Sequence, residues 1–292
     1  MAFLTIITPT YNRAHTLPRC FESLLRQTCK DFEWIIVDDG SADDTQSVIA
    51  GFVTDAFPMI SVQKENGGKH TALNAAHPYI HGDYVLILDS DDYLTDRAVE
   101  TVLSAWERYK RNESVGMLTF LKGTSDNKPV CTVVDFDTPV DILRYRRQTG
   151  LGNDCCEVIT ANLFRQYPFP VYEGERFVSE CALWNRVGQH HKCVYIDAII
   201  YICEYLEDGL TKSGRSMRIR NPRGGMFTSN LRMDRRNYTG QRWKYGLLYT
   251  CYGCFAHKGI RQQMKEADYP LLVAACYPLG ALLYLWWKRK YF

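Results

Sequence analysis

Short apolar runs alternate with stretches of helical spacing along the first 120 residues. Phe3–Thr8 is apolar and β-branched and stops at Pro9, which predicts a strand. Leu17, Phe21, Leu24 and Leu25 share one helical face, and Phe32–Val37 reads as a second strand closed by Asp38-Asp39-Gly40-Ser41. A helix opening at Ser41 or Asp43 carries Val48, Ile49 and Phe52, and Ile60–Val62 is a third strand. After Asn66-Gly67-Gly68 a helix is expected from about Lys69 to Ala76. The run Tyr84–Leu88, wholly apolar, fits a strand covered on both faces. A helix from Asp96 to about Lys110 and a strand over Gly116–Leu121 complete the series. Such alternation predicts βαβ units, an α/β Rossmann-like domain and a mostly parallel central sheet.

From about 125 to 205 the pattern is mixed. Strands over Cys156–Thr160 and Cys193–Tyr201 flank a helix that begins near Ser179 or Glu180. Beyond 205 the character changes. Between 212 and 244 ten lysines and arginines face one acid, Asp234, and Leu271–Trp287 is apolar and aromatic before Lys288-Arg289-Lys290. The expected division is an α/β domain over residues 1–210 and a basic helical C-terminal region over 211–292.

Composition changes the picture in two places. A formal net charge of +2 gives no reason to expect nucleic acid or another polyanion. The 11 cysteines are odd in number and scattered, and Met1–Ile7 lacks the basic region and cleavage site of a secretory signal, so reduced thiols in the cytoplasm are expected. Cys251-Tyr-Gly-Cys254 has no second pair at zinc spacing and reads as buried small residues.

Ligands of open α/β sheets bind at the carboxyl ends of the strands. Three polar loops fall there: Thr8-Pro9-Thr10-Tyr11-Asn12, Asp38-Asp39-Gly40-Ser41 and Asp89-Ser90-Asp91-Asp92. Carboxylates one residue apart at a strand end, together with a diphosphate, make a hard oxygen site for Mg²⁺ or Mn²⁺. The plainer reading of the same residues is turn capping, with Asp92 or Thr95 starting the next helix. Asp38 and Asp39 can accept from a nucleobase imide or a ribose hydroxyl, or simply form an Asp-Gly turn with Ser41 as helix cap. Lys69, behind two glycines, can reach a phosphate or a base. The G-x-G-x-x-G and P-loop patterns are absent, which argues against a dinucleotide oxidoreductase and a P-loop kinase.

The run Ile7-Thr8-Pro9-Thr10-Tyr11-Asn12-Arg13, the stretch Val37–Thr45, Asn66-Gly67-Gly68 and Leu88-Asp89-Ser90-Asp91-Asp92 stand in an order and spacing that closely resemble the family 2 glycosyltransferases, over about residues 3–205. The resemblance implies a GT-A fold, a nucleotide-sugar donor and inversion at the anomeric carbon by one displacement. It places Thr10, Tyr11, Asn12, Asp39 and Lys69 around the nucleotide, with Asp89 and Ser90 also toward the donor and Asp91 as the main metal ligand. Relatives carry an acidic pair at a helix start after the metal motif. Here Glu180 is followed by Cys181, so Glu180 is expected to be the general base, with Glu175 and Asp154 in reserve. Asp208-Gly209-Leu210-Thr211 resembles a loop that closes over the donor phosphates, and Arg215 and Arg218 are then candidates for a diphosphate contact that develops on closure.

A basic segment followed by an apolar tail suggests peripheral contact with the inner face of the cell membrane, Trp286 and Trp287 lying at the interface. The 17 residues of Leu271–Trp287 are at the short end for a span and are interrupted by Pro278 and Gly280. A lipid-linked or other saccharide acceptor suits that location, and a homo-oligomer stays open. Processive synthases carry Gln-x-x-Arg-Trp, which Gln241-Arg242-Trp243 does not match, so one sugar per encounter is expected. Two competing readings remain: a nucleotidyltransferase, and a catalytically inactive nucleotide-sugar-binding or membrane scaffold.

Overall fold

The protein is described by a computed structural model covering residues 4–131, 133, 135–148, 154–204 and 210–292, with backbone alone at 146–148 and 210–213. The chain forms two compact units: residues 1–168 with 187–206, and residues 169–186 with 207–292. One junction between the units falls at 206 and 207, where the expected division was at 210 and 211. The segment 169–186, expected in the α/β domain, belongs to the second unit because its contacts run to later helices rather than to the sheet.

The first unit runs β1 (Leu4–Thr10), α1 (Leu17–Leu25), β2 (Phe32–Asp38), α2 (Thr45–Ala50), β3 (Met59–Gln63), α3 (Lys69–Ala75), β4 (Tyr84–Ile87), β5 (Tyr93–Leu94), α4 (Ala98–Tyr109), β6 (Val115–Gly123), β7 (Pro139–Val140), α5 (Ile142–Gln148), β8 (Cys155–Thr160) and α6 (Ala161–Gln166). Then α7 (Cys181–Gly188) crosses the unit boundary, and β9 (Lys192–Ile202) returns to the sheet. Sheet order is β3-β2-β1-β4-β8-β6-β9-β5, with β7 on β9. The first four strands are parallel, whereas β8 runs antiparallel to β4 and β6. The sheet is thus mixed, and its antiparallel part falls where the pattern at 125–205 loses its regular alternation. Antiparallel neighbours need no crossover helix on the sheet face.

Every residue of β1 and β2 is buried, as a strand covered on both faces requires. On one face Phe21 stacks on Trp34 and Phe52 at 5.7 and 4.3 Å, and Phe57 closes on Phe32 at 4.5 Å. The helix expected to open at Ser41 or Asp43 begins at Thr45, because the Ser41 hydroxyl bonds the Asp38 carboxylate instead. Likewise α4 begins at Ala98. Its cap position is Arg97, so neither Asp92 nor Thr95 caps it.

The second unit holds α8 (Leu210–Arg220), α9 (Pro222–Arg232), α10 (Thr239–Phe255), α11 (Ile260–Glu266) and α12 (Pro270–Tyr291) around Ile219, Met226, Met233, Tyr249, Tyr252, Val273 and Trp287. Glu175 fastens 169–186 to this core: its carboxylate accepts the amides of Arg223 and Gly224 at 2.8 and 2.9 Å, filling the open N-terminus of α9. The helices α10 and α12 meet through glycines. A Cβ at Gly280 would lie 1.8 Å from Thr250 Oγ1, and one at Gly246 would lie 2.7 Å from Cys276 Sγ. Gly280→Val should accordingly cost about 1–3 kcal/mol, the usual penalty of overpacking. Denaturant unfolding checks this, and an unchanged midpoint would refute the close crossing.

Candidate active site

β1, β2 and β4 are parallel with Thr10 level with Asp38 and Ile7 level with Ile87, so their carboxyl ends share one rim. The three expected loops meet there. Gly40 turns the chain after β2 at φ +76°, and a Cβ on it would strike the Asn66 amide nitrogen at 2.8 Å. Asp39, 3 % exposed, ties the loops together. Its amide donates to the Thr10 carbonyl at 2.9 Å, and its carboxylate accepts from Lys64 Nζ (2.6 Å), the Gly67 amide (3.0 Å) and the Gly68 amide (2.6 Å). A carboxylate has about four lone-pair positions, so one acceptor position remains. Beside it the Thr10 hydroxyl is buried with no hydrogen-bond partner. Asn12 adopts φ +52° and spans two loops, its amide donating to Ser41 Oγ and its side-chain oxygen accepting from Ala42, both at 2.8 Å. Tyr11 is exposed.

The chain leaves β4 into Asp89-Ser90-Asp91-Asp92. Carboxylate oxygens of Asp89, Asp91 and Asp92 lie within 4.8 Å of one another, and among the described residues this is the one His/Cys/Asp/Glu group able to hold an ion. Cations surround it. Lys69 pairs with Asp89, Arg13 lies 3.9 Å from Asp91, and Arg19 donates to the Asp91 carbonyl at 2.6 Å. Lys122 at the end of β6 bonds Asp154 at 3.0 Å and sits 4.3 Å over the Tyr201 ring. Asp92 is held from β9: the buried Tyr201 hydroxyl accepts the Asp89 amide at 3.0 Å and donates to Asp92 at 2.8 Å, while the Glu204 amide donates to Asp92 at 3.0 Å.

The electrostatics follow from this crowding. Burial works against the Asp89 charge, but Lys69 and Lys122 outweigh it and hold Asp89 below the usual carboxylate range. Burial and the Asp89 charge push Asp91 up, and the same two causes push Asp92 to about 7. Burial also opposes the Lys122 charge, but Asp89, Asp154 and Asp92 hold its pKa well above the usual value. Like charges this close favour a multivalent cation, and three oxygen-donor side chains fit the hard ions Mg²⁺ and Mn²⁺.

His70, just inside α3, was not singled out by its sequence context. It is 2 % exposed with both ring nitrogens unpartnered, and burial pushes its pKa down to about 4. The unfolded chain takes up the proton below about 6.5 and the folded chain only below about 4, so stability falls as pH falls through that window. Taking wild type from pH 7 to 4.5 should cost about 2–3 kcal/mol more than taking His70→Gln through the same change. Equal losses in the two proteins would show that the ring is not buried neutral.

Among the expected site residues, Thr10, Tyr11, Asn12, Asp39, Lys69, Asp89, Ser90 and Asp91 all belong to the first unit, and Ser90 is buried. Glu180 belongs to the second, immediately before α7, where its carbonyl accepts the Leu183 amide at 2.9 Å. Asp208 and Gly209 of the expected closing loop lie outside the described residues. Lys122, Tyr201 and Arg19 went unassigned in the sequence. The available signal was a lysine directly after an apolar strand and a tyrosine closing another. Cys251 and Cys254 are a buried and a half-buried thiol, both pushed up by burial.

The sequence profile of Glycosyl transferase family 2 matches residues 5–169. Glycosyltransferase GlyA of Streptococcus pneumoniae is 32 % identical over 179 residues, which is 58 % of this chain and 26 % of that protein. Chondroitin synthase of Pasteurella multocida is 40 % identical over 107 residues, covering 37 % of this chain and 11 % of that one. The chain therefore spans about a quarter or less of the length of these relatives. Among solved structures, S. aureus TarS 1-349 in complex with UDP-GlcNAc superposes with a TM-score of 0.65 at 16 % identity, over 94 % of this chain and 79 % of that one. The mannosyltransferase PcManGT from Pyrobaculum calidifontis, in complex with GDP-Man and Mn²⁺, superposes at 0.59 and 19 % identity over 97 % and 80 %. At these identities the likeness bears on fold, and the expected α/β GT-A architecture with a C-terminal helical region stands.

Proposed function

We propose that this chain, which belongs to Glycosyl transferase family 2, transfers one sugar per encounter, with inversion, from a UDP-sugar to a hydroxyl of a saccharide or lipid-linked acceptor. The observation that carries the reading is the carboxylate cluster of Asp89, Asp91 and Asp92 set among Lys69, Arg13, Arg19 and Lys122 on the strand rim. Net-negative oxygens ringed by cations suit a metal and a diphosphate together. The bound Mg²⁺ or Mn²⁺, held chiefly by Asp91 with Asp89, would neutralise charge on the departing nucleoside diphosphate. Lys69 and Arg13 then orient the phosphate oxygens. The spare acceptor position of Asp39 beside the unpartnered Thr10 hydroxyl suits the N–H and C=O of a nucleobase imide. Support for a nucleotide-sugar donor also comes from the UDP-GlcNAc and GDP-Man complexes of the two structural neighbours. A carboxylate, for which Glu180 is proposed, takes the acceptor proton as that oxygen attacks the sugar's anomeric carbon.

The test is a panel of UDP-, GDP- and dTDP-sugars with Mn²⁺ or Mg²⁺. Release of one nucleoside diphosphate, abolished by chelator, is expected. Folded protein that binds no donor would favour the inactive scaffold instead.

The proposed setting is the inner face of the cell membrane. The helix α12 packs Val273, Cys276, Gly280 and Trp287 inward and exposes Leu271, Leu279, Leu282, Leu285 and Trp286 on the opposite face, ahead of Lys288-Arg289-Lys290. It is the one described helix long and apolar enough to span a bilayer. An apolar stripe ending in cations, with the reverse face committed to the unit's own core, suits lying on a membrane. Flotation with anionic vesicles should be lost in Leu282→Glu, and resistance to carbonate extraction would point to a span.

A further inference from the structure

The second unit contains a cavity of ≈ 240 Å³ that no residue of the strand rim lines; Ser179 and Cys181, on either side of Glu180, line it, as do Arg215 and Arg218, the two arginines expected near the donor diphosphate. Arg215 and Arg218 reach it from α8, Arg232 from α9 and Lys244 from α10, and Thr228 and Ser229 add hydroxyls. Among the described residues no carboxylate lines it.

The manner in which these cations are held is informative. Two arginines elsewhere in the unit are neutralised by acids, Arg223 by Glu175 at 3.2 Å and Arg236 by Asp234 at 2.8 Å. Around the cavity, among the described residues, none of the four has a carboxylate within ion-pair distance. Rings position them instead. Arg215 lies 4.6 Å over Trp287, Arg232 lies 5.0 Å over Tyr245 and donates to its hydroxyl, and Lys244 lies 5.6 Å from the same ring. A ring face orients a cation and attracts it but leaves its charge uncancelled. Arg232 Nε is also buried without an acceptor, an arrangement that costs free energy until an acceptor arrives. Four positive charges converge on a cavity whose volume equals roughly eight waters at about 30 Å³ each, which is ample for a diphosphate.

We propose that this cavity binds a phosphoryl group, as a phosphate ester or diphosphate, carried by a molecule other than the nucleotide-sugar donor. Three guanidinium groups offer paired N–H donors in a plane, the geometry that matches phosphate oxygens, and a charge of this size suits a dianion better than a single carboxylate. Two carriers share that chemistry: the headgroup of an anionic lipid, and a soluble or acceptor-borne phosphate. The assignment rests on the second unit's own side chains and does not depend on the transferase reading.

Inorganic pyrophosphate is the probe, titrated calorimetrically into the full chain in excess EDTA so that metal-held nucleotide chemistry is silent. Binding tighter than about 1 mM is expected. It should be unchanged in Asp91→Ala, undisturbed by saturating UDP, and weakened at least tenfold in Arg218→Gln and in Lys244→Gln. Both of those side chains are exposed, so their loss leaves the core intact, and unchanged thermal melting confirms it. Displacement of pyrophosphate by phosphatidylglycerol vesicles, and not by phosphatidylcholine vesicles, would assign the lipid headgroup as carrier. Retention against both would assign the soluble or acceptor-borne phosphate. Absence of binding in EDTA, displacement by UDP, loss in Asp91→Ala, or indifference to both basic-residue variants would each overturn the site.

Discussion

Asp91→Ala should lower metal-dependent release of nucleoside diphosphate by about a thousandfold or more while leaving the fold intact. That figure corresponds to roughly 4 kcal/mol of transition-state stabilisation, within what a metal at a departing diphosphate supplies. The two halves of the expectation have one cause. Burial and the Asp89 charge hold the Asp91 carboxyl above its usual range, so without a metal this group is held against repulsion. Its removal relieves Asp89 and should leave the melting temperature equal or slightly higher. The local backbone is held independently, since Arg19 binds the Asp91 carbonyl and not its carboxylate. Excess Mn²⁺ should not restore turnover. Activity within tenfold of wild type, measured with the same donor, would remove Asp91 from the metal site and with it the proposed role of the cluster.

Such a variant can be chosen from sequence because the first unit is locally consistent. β1, β2 and β4 are rich in apolar and β-branched residues, each strand ends in a polar turn, and parallel pairing carries those turns to one rim whatever the details of side-chain packing. The missed parts depend on contacts made at long range. Tyr201 reaches Asp89 and Asp92 across 112 and 109 residues. Its pattern in the chain is that of any strand-ending tyrosine, so only the pairing of β9 with β5 and β6 shows what it holds. Lys122 escaped for the same reason, being one residue beyond an expected strand and flanked by nothing acidic in sequence. Asp39 illustrates a different difficulty. Its place at the rim was legible, but three of its acceptor positions go to Lys64, Gly67 and Gly68, and the partners of a carboxylate cannot be counted from its position in a motif. The mixed sheet went unread because strand direction in 125–205 is set by connections without a strong helical period. The assignment of 169–186 to the second unit turns on Glu175 capping a helix that begins 47 residues later, at Pro222.

Glu180 is the proposed general base, and a kinetic test decides it. Three carboxylates were in contention. Glu175 receives three donors, two of them backbone amides, so its lone pairs are committed to α9. Asp154 is paired with Lys122 at 3.0 Å. Glu180 stands half-buried immediately before α7 and is followed by Cys181, so no acid adjoins it on that side. Glu180→Gln keeps size and polarity and removes only the basic lone pair's proton affinity. Transfer to acceptor should fall by about a hundredfold to ten-thousandfold, the usual share of general base catalysis. Donor affinity, titrated calorimetrically with metal present, should change less than twofold, because a base acts on the acceptor proton and not on the diphosphate. If transfer persists while Asp91→Ala is inactive, the displacement still runs at the metal cluster but its base is another carboxylate, and Asp154→Asn becomes the variant to make. If instead donor affinity collapses along with transfer, Glu180 holds the donor and the proposed division between a donor-binding rim and a base just before α7 is wrong.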